Sequence, residues 1–512
     1  MKKKKFDLSG PFAFILAILV LLIFVPVNLI AGYYDKVYDM TPNKKYTLNE
    51  KTVQLLDETK DKEIDIYYLG KLQDLKDNPE YLSLYHTLTE LDARDNITLH
   101  CIDPDKDVET ASSLDPTGIL GVSELDIFVK CGTVIKKVQA ERIFQKVDGI
   151  QHYDGEELIS GALKTVTNGS LPTVYFLQGH GEKSIYDPGT ENYSLESGYG
   201  IYAQQLYAKN YDVKELDLDK EGAIPSNTAI LLLAGPQQDL TDNETSLIND
   251  YLDQGGSMSF LLDPCETEGR FKNIEKLLEK FGILMDYNLV TETLPVLQFR
   301  NREGQQDPAF MRVEFIDNTA AENDYTEDLT SELIMLIDNG AYNAGISNTR
   351  SFTYLPEASF PGASYTEVSP LIASTPDFTN GIENYTVEST PMGGNEATAA
   401  EAEQLSGTEL YYGFYSYNKL SGGKITVFGT SEPVDTEAMC PTTSGVQTLI
   451  LFSDTWLYDT DESLGVGTKL NSYDYMKFPS AKKAESTIAV IVIFPLAVAL
   501  VGLIVWLRRR HA

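Results

Sequence analysis

The residues best suited to chemistry sit where strands are predicted to end. Val174-Tyr175-Phe176-Leu177 reads as a short buried strand, and Gly179-His180-Gly181-Glu182 follows at once. Ala229-Ile230-Leu231-Leu232-Leu233-Ala234 is continuously apolar, as a central strand of a parallel sheet is, and breaks at Gly235-Pro236. The strand over residues 258–262 ends at Asp263-Pro264, and Lys424-Ile425-Thr426-Val427-Phe428-Gly429 ends at Thr430-Ser431-Glu432. In a parallel α/β sheet these turns gather at the carboxyl edge, where ligands bind. Gly179, His180, Gly181, Glu182, Asp263, Ser431 and Glu432 therefore form the candidate ligand site. Such a group could hold a polar ligand or take part in catalysis. Alternatively, His180 and Glu182 cap the following segment and only stabilise the turn by hydrogen bonds.

No catalytic motif is intact. Gly181-Glu182-Lys183-Ser184 resembles the end of a phosphate loop, but Glu182 separates the glycine from the lysine and the upstream glycine spacing is wrong. There is no His-Glu-x-x-His, and Gly255-Gly256-Ser257-Met258-Ser259 fails at the last position of a nucleophile elbow. Of five histidines, His86 falls on a predicted helix, His100 beside a strand, His152 before a helix and His511 in the tail. Only His180 lies at a strand's carboxyl end. A Cys-His couple would need Cys265 near His180, without a third orienting group in view. The four cysteines, Cys101, Cys131, Cys265 and Cys440, make no Cys-x-x-Cys, which argues against a zinc site. Pairing Cys101 with Cys131 and Cys265 with Cys440 would keep each bridge within one unit; free thiols are equally compatible. The expectation is a chain with no catalytic residues, metal, cofactor or bound nucleotide.

The elements that must position these turns fall into two α/β units. Over residues 33–150, Thr47 and Glu50 have the spacing of a capping box. Ile64, Ile66 and Tyr68 alternate as a strand does, and residues 79–94 read as a helix with Leu82, Tyr85, Leu88 and Leu91 on one face. Residues 97–102 form a strand ending at Asp103-Pro104, and Gly132 turns a hairpin between Cys131 and Val134. Strand, helix, strand and hairpin suggest a thioredoxin-like unit, without the Cys-x-x-Cys of redox work. Residues 151–293 and 407–470 read as a Rossmann- or flavodoxin-like (glutamine-amidotransferase-like) parallel-sheet domain. It is discontinuous because the strand at 424–429 and a helix at 446–458 return to the sheet begun at Val174. Thr241 and Glu244 open one of its helices with a second capping box. Residues 294–406, rich in Thr, Ser, Asn, Gly and Tyr, read as a β-rich or loop-rich insertion, and 471–485 as a linker.

Two apolar runs bracket these units. Lys2, Lys3, Lys4 and Lys5 precede an uncharged run over residues 8–34, and Arg508, Arg509 and Arg510 follow one over 486–507. A helix crosses a bilayer in about 20 residues, and basic flanks stay cytoplasmic. Residues 11–32 and 486–507 are thus expected to span the cell membrane, with the tails at 1–10 and 508–512 cytoplasmic and everything between extracytoplasmic. The first run is too long for a signal peptide and offers no small residue three before a cleavage point. The net charge is −35, and it grows more negative once the basic tails are set aside. That argues against nucleic acid and against lying flat on anionic lipid. The 30 tyrosines suit an extracellular surface and suit sugar binding as well.

Val174-Tyr175-Phe176-Leu177-Gln178-Gly179-His180-Gly181-Glu182 resembles the signature of the GldG-like proteins, auxiliary components of ABC transport systems first associated with gliding motility. Leu233-Ala234-Gly235-Pro236, Phe260-Leu261-Leu262-Asp263-Pro264, Tyr46-Thr47-Leu48 and Asp103-Pro104 follow the same pattern in order, as does the end of the chain from Pro495 to Val505-Trp506-Leu507-Arg508-Arg509. The resemblance covers about three quarters of the chain and departs over 294–406. It implies an anchored extracytoplasmic subunit beside an ABC permease and its ATPase, and it brings no catalytic residues.

Overall fold

The computed structural model describes residues 44–471, apart from 117, 148, 266–269, 318–328, 356–359, 361, 378–383, 393–403, 406–407 and 461–463, together with isolated residues nearer the termini. The spans expected at 11–32 and 486–507 lie outside the described residues, save for Leu22, Leu500, Trp506 and Leu507. Among the described residues no helix is long and apolar enough to cross a membrane.

The chain is a mixed α/β protein. Helix α1 (Glu50–Glu58) starts at Asn49, whose side chain accepts from Lys51 N at 3.0 Å. The expected Thr47–Glu50 capping box does not form, because Asn49 directly precedes the first helical turn and is itself a strong N-cap. Strands β1 (Ile64–Leu69), β2 (Ile97–Ile102), β3 (Ile127–Cys131) and β4 (Val134–Val138) make a sheet in the order β2-β1-β3-β4. β1 and β2 run parallel, and β3 and β4 return antiparallel. Helix α2 (Leu82–Asp92) buries Leu84, Leu88 and Leu91. The residues before it form a separate short helix, Leu72–Asp77, and a 3-10 turn at Pro79–Tyr81, rather than one helix from 79. Helix α3 (Gly155–Asn168) closes the core and stops at Gly169, whose φ of +88° is open to glycine at little cost.

The larger sheet starts with β5 (Thr173–Leu177), β6 (Asp212–Leu216), β7 (Thr228–Ala234) and β8 (Ser257–Leu261). Far along the chain, β9 (Gln306–Phe315), β10 (Thr366–Ser374), β11 (Tyr411–Asn418) and β12 (Lys424–Phe428) join it. The order is β6-β5-β7-β8-β12-β11-β10-β9. The first five are parallel; β11, β10 and β9 continue by antiparallel pairing. Strand β12 thus returns beside β8, and strands from within 294–406 extend the same sheet.

The apolar run of β7 makes sense in this setting. Ile230, Leu232 and Ala234 enter one core with Val174 and Phe176 of β5, and with Tyr202 and Leu206 of helix α4 (Gly200–Ala208). Leu231 and Leu233 enter the opposite core with Tyr175, Leu177 and Ile248 of helix α5 (Asp242–Asp253). Both faces are covered, so alternation vanishes. Each fully buried side chain of this kind contributes about 1.5–3 kcal/mol. Helix α6 (Ser444–Leu457) adds Val446, Leu449 and Ile450 to the first core.

Candidate functional site

Counting the parallel strands by appearance, the order is second, first, third, fourth, fifth. The connections diverge between β5 and β7, the switch point at which α/β proteins open a ligand crevice. Gly179-His180-Gly181-Glu182 leaves β5, and Gly235-Pro236-Gln237-Gln238 leaves β7. The chain itself closes this crevice. Gln237 N and Gln238 N both donate to His180 O, at 2.7 and 3.0 Å. A Cβ on Gly181 would stand 2.9 Å from Gln237 Cβ.

His180 is buried, and both ring nitrogens are engaged. Nδ1 lies 3.0 Å from Glu182 Oε1 and Nε2 lies 2.9 Å from Glu244 Oε2. Glu182 Oε2 also accepts from His180 N at 2.7 Å. Glu244 is the acidic partner of the Thr241 capping box, which forms as expected. Its Oε2 takes Thr241 N and Oγ1 as well as the imidazole. Burial alone would lower the imidazole pKa, but the hydrogen bonds and charges of Glu182 and Glu244 outweigh it and raise it to about 9. Glu244 moves the other way: burial pushes it up, and the Thr241 and His180 bonds bring it below its ordinary value. The result is an imidazolium bridging two carboxylates at neutral pH.

Asp263 and Ser431 meet on the neighbouring turns. Ser431 donates to Asp263 through its backbone N and, at 2.7 Å, through Oγ; Tyr199 Oη donates to Ser431 Oγ at 2.9 Å. Burial raises the Asp263 carboxyl to about 6, against the pull of the Ser431 bonds. Gly235, at φ +62°, lies against this group. A Cβ there would be 2.7 Å from Tyr199 Oη and 2.8 Å from Asp263 Oδ2. Glu432 turns elsewhere, accepting from Asn348 Nδ2 at 2.5 Å. The seven expected residues therefore resolve into a His180–Glu182 turn, an Asp263–Ser431 pair and a separate Glu432.

Cys265 does not couple to His180, whose nitrogens are taken. Its buried thiol lies 3.7 Å from Arg350 Nη2, and burial raises its pKa. Arg350, fully buried, also donates to the backbone oxygens of Asp263 and Asp286. All four cysteines are free thiols, the second of the two alternatives that the sequence left open. Cys101 and Cys131 sit on β2 and β3, which flank β1. Two strand spacings of about 4.8 Å put them beyond the roughly 7 Å reach of a disulfide. Among the described residues no group of three or more His, Cys, Asp or Glu could hold a metal ion.

Glu244, Tyr199 and Arg350 were not singled out by sequence. Only Glu244 carried a signal, its capping-box spacing, and that spacing says nothing about a second partner across the sheet.

A larger opening lies where the two units meet. It measures about 930 Å³, and its lining includes Lys137, Arg142, Lys209, Tyr211, Phe452 and Trp456. Another of about 610 Å³ lies beyond β1 and β2, with Lys71, Asp74, Asp103 and Asp115 on its wall.

Residues 171–334 match the profile of a family described as ABC-type uncharacterized transport system. That match supports an accessory role in transport. No curated protein matches the sequence. Among solved structures, the mmIFT52 N-terminal domain is similar over 56% of this chain and 97% of its own, at 14% identity and a TM-score of 0.32. A ThuA-like protein from Parabacteroides merdae ATCC 43184 is similar over 56% of this chain and 90% of its own, at 12% identity and a TM-score of 0.27. The exo-beta-1,4-mannosidase Op5Man5 from Opitutaceae bacterium strain TAV5 is similar over 59% and 39%, at 10% identity and a TM-score of 0.26. None of these likenesses bears on function.

Proposed function

We propose that this chain is a membrane-anchored, non-enzymatic auxiliary subunit of an ABC-type transport complex, of the GldG-like kind. The family match over residues 171–334 supports the transport context. The observation that carries the non-enzymatic part is the state of His180. Both of its nitrogens are held by carboxylates, and a cation with a pKa of about 9 is a poor general base at neutral pH. The turns at the carboxyl edge thus serve the fold, and recognition falls to other surfaces.

In this reading residues 11–32 and 486–507 anchor the chain in the cell membrane beside a permease, with both termini cytoplasmic. The α/β units stand on the far side, and a separate ATPase supplies the energy. The N-terminal sheet order supports a thioredoxin-like unit. The parallel order second-first-third-fourth-fifth supports a flavodoxin-like one. The test is affinity purification of the tagged full-length protein in mild detergent, followed by mass spectrometry. Recovery of an ABC ATPase and a multi-span permease at near-stoichiometric levels is expected. Recovery of the chain alone, under conditions that keep a known membrane complex intact, would refute the assignment.

A further inference from the structure

Residues 464–471 do not leave from the domain that the chain has just completed. Helix α6 of the larger domain ends at Leu457, yet the chain then runs back to the N-terminal unit, where Leu464 packs against the core. The Glu157 carboxylate, in the first turn of α3, accepts three successive backbone donors: Gly465 N at 3.0 Å, Val466 N at 2.5 Å and Gly467 N at 3.1 Å. Lys469 and Leu470 pair antiparallel with the strand Ile150–Tyr153. Lys469 is buried and ion-paired with Glu156. It also donates to Thr47 O at 2.8 Å and to Lys44 O at 3.3 Å. Asn471, also buried, donates to Glu80 O at 2.8 Å and accepts from Ser83 Oγ at 3.1 Å. Buried polar groups that lose such partners are costly, so these bonds fix where the strap lies. The chain therefore enters near Lys44 and leaves at Asn471 through one corner of the smaller unit.

The larger sheet starts beside that unit and extends away from it. Asn210, which leads into the edge strand β6, holds Lys137 of β4: Oδ1 accepts from Lys137 N at 2.9 Å, and Nδ2 donates to Lys137 O at 3.1 Å. The opposite edge is the strand Gln298–Arg300, paired with β9. It lies eight strand spacings from β6, a span of about 38 Å. Val296, next to that strand, is exposed. The chain carries −35, so a broad face laid on an anionic bilayer is repelled. Contact through one corner keeps most of that charge at a distance. The sequence on either side of the corner is aromatic, with Tyr33, Tyr34 and Tyr38 before it and Tyr473, Tyr475 and Phe478 after it. Aromatic residues that flank a span favour the membrane–water interface.

We propose that this corner is the surface on which the protein meets the lipid bilayer. The N-terminal unit then sits at the membrane, and the larger sheet projects from it with the strand Gln298–Arg300 outermost. The proposal rests on residues 11–32 and 486–507 spanning the membrane, and the experiment separates the two.

The full-length protein is reconstituted in vesicles of phosphatidylcholine and phosphatidylglycerol that carry an energy acceptor on their headgroups. A donor dye is attached through p-azidophenylalanine at Thr468, Leu470 or Val296, all exposed, so the native cysteines stay untouched. Thr468 lies outside the paired strand, and its label leaves that pairing in place. Energy transfer from Thr468 and Leu470 should exceed that from Val296 by about threefold or more, given a sheet that spans about 38 Å. Equal transfer from the three positions, or stronger transfer from Val296, in a protein that alkaline carbonate does not release would overturn the proposal and leave the anchors standing. Release of the unlabelled protein by carbonate would overturn the anchors, and this proposal with them.

Discussion

The carboxyl-edge crevice and the cavity between the units make opposite use of polar residues. At the crevice, buried charges face one another: His180 spans Glu182 and Glu244, and Ser431 fills both oxygens of Asp263. At the cavity, the Lys137–Asn210 bonds tie the two units together beside charged and aromatic side chains that line an opening of about 930 Å³. The crevice is where an α/β sheet of this order ordinarily binds its ligand. Here the chain's own turns occupy it. The position of a site in a fold and the availability of its groups are separate matters, and hydrogen-bond accounting separates them.

If the crevice is a latch, substitutions there should cost stability, and substitutions on the cavity wall should not. The largest effect is expected for His180→Ala, which strands two buried carboxylates. Breaking one partner of a buried ionic group costs about 3–5 kcal/mol, to be read by denaturant unfolding. A loss below about 1 kcal/mol would remove the contrast between the two regions.

The pH dependence should be nearly as large. The folded pKa of His180 is raised to about 9 from an ordinary 6.5, so its stabilisation is complete below pH 6.5 and disappears as pH rises through 9. The shift corresponds to roughly 3 kcal/mol. The gap in melting temperature between the natural protein and His180→Gln should therefore be wide at pH 6 and nearly closed above pH 9. A constant gap would mean that the imidazole is not held as a cation.

Gly235→Ala should cost on the order of 1–3 kcal/mol for the left-handed backbone alone, with crowding against Tyr199 and Asp263 added. Asn210→Ala removes two bonds between the units, at about 0.5–1.5 kcal/mol each. Limited proteolysis should then find the β4 junction more readily opened. The smallest effect belongs to the cavity wall, where Arg142→Ala should stay within about 0.5 kcal/mol.

Much of the central sheet was legible because its strands are apolar on both faces. β5, β7, β8 and β12 each stand out between polar turns, and those turns contain His180, Glu182, Asp263 and Ser431. What the sequence could not show is which turn residues meet. Glu244 reaches His180 from a helix that begins at Asp242, and capping geometry explains its two bonds to Thr241 but not the one to His180. The antiparallel extension was legible only as β-rich. Its strands carry polar residues within the sheet, such as Glu367, buried against Tyr415 Oη at 2.9 Å. Cys101 and Cys131 do not pair because their separation depends on strand order, which spacing does not encode.

The most direct measurement is imidazole NMR of the histidine-labelled protein, with the His180 signal identified by its loss in His180→Gln. Five histidines keep the spectrum simple. A latched crevice requires His180 to be doubly protonated at neutral pH and to titrate near pH 9. Titration near 6.5, the value of a free imidazole, would contradict it and return the Gly179–Glu182 turn to the list of open sites.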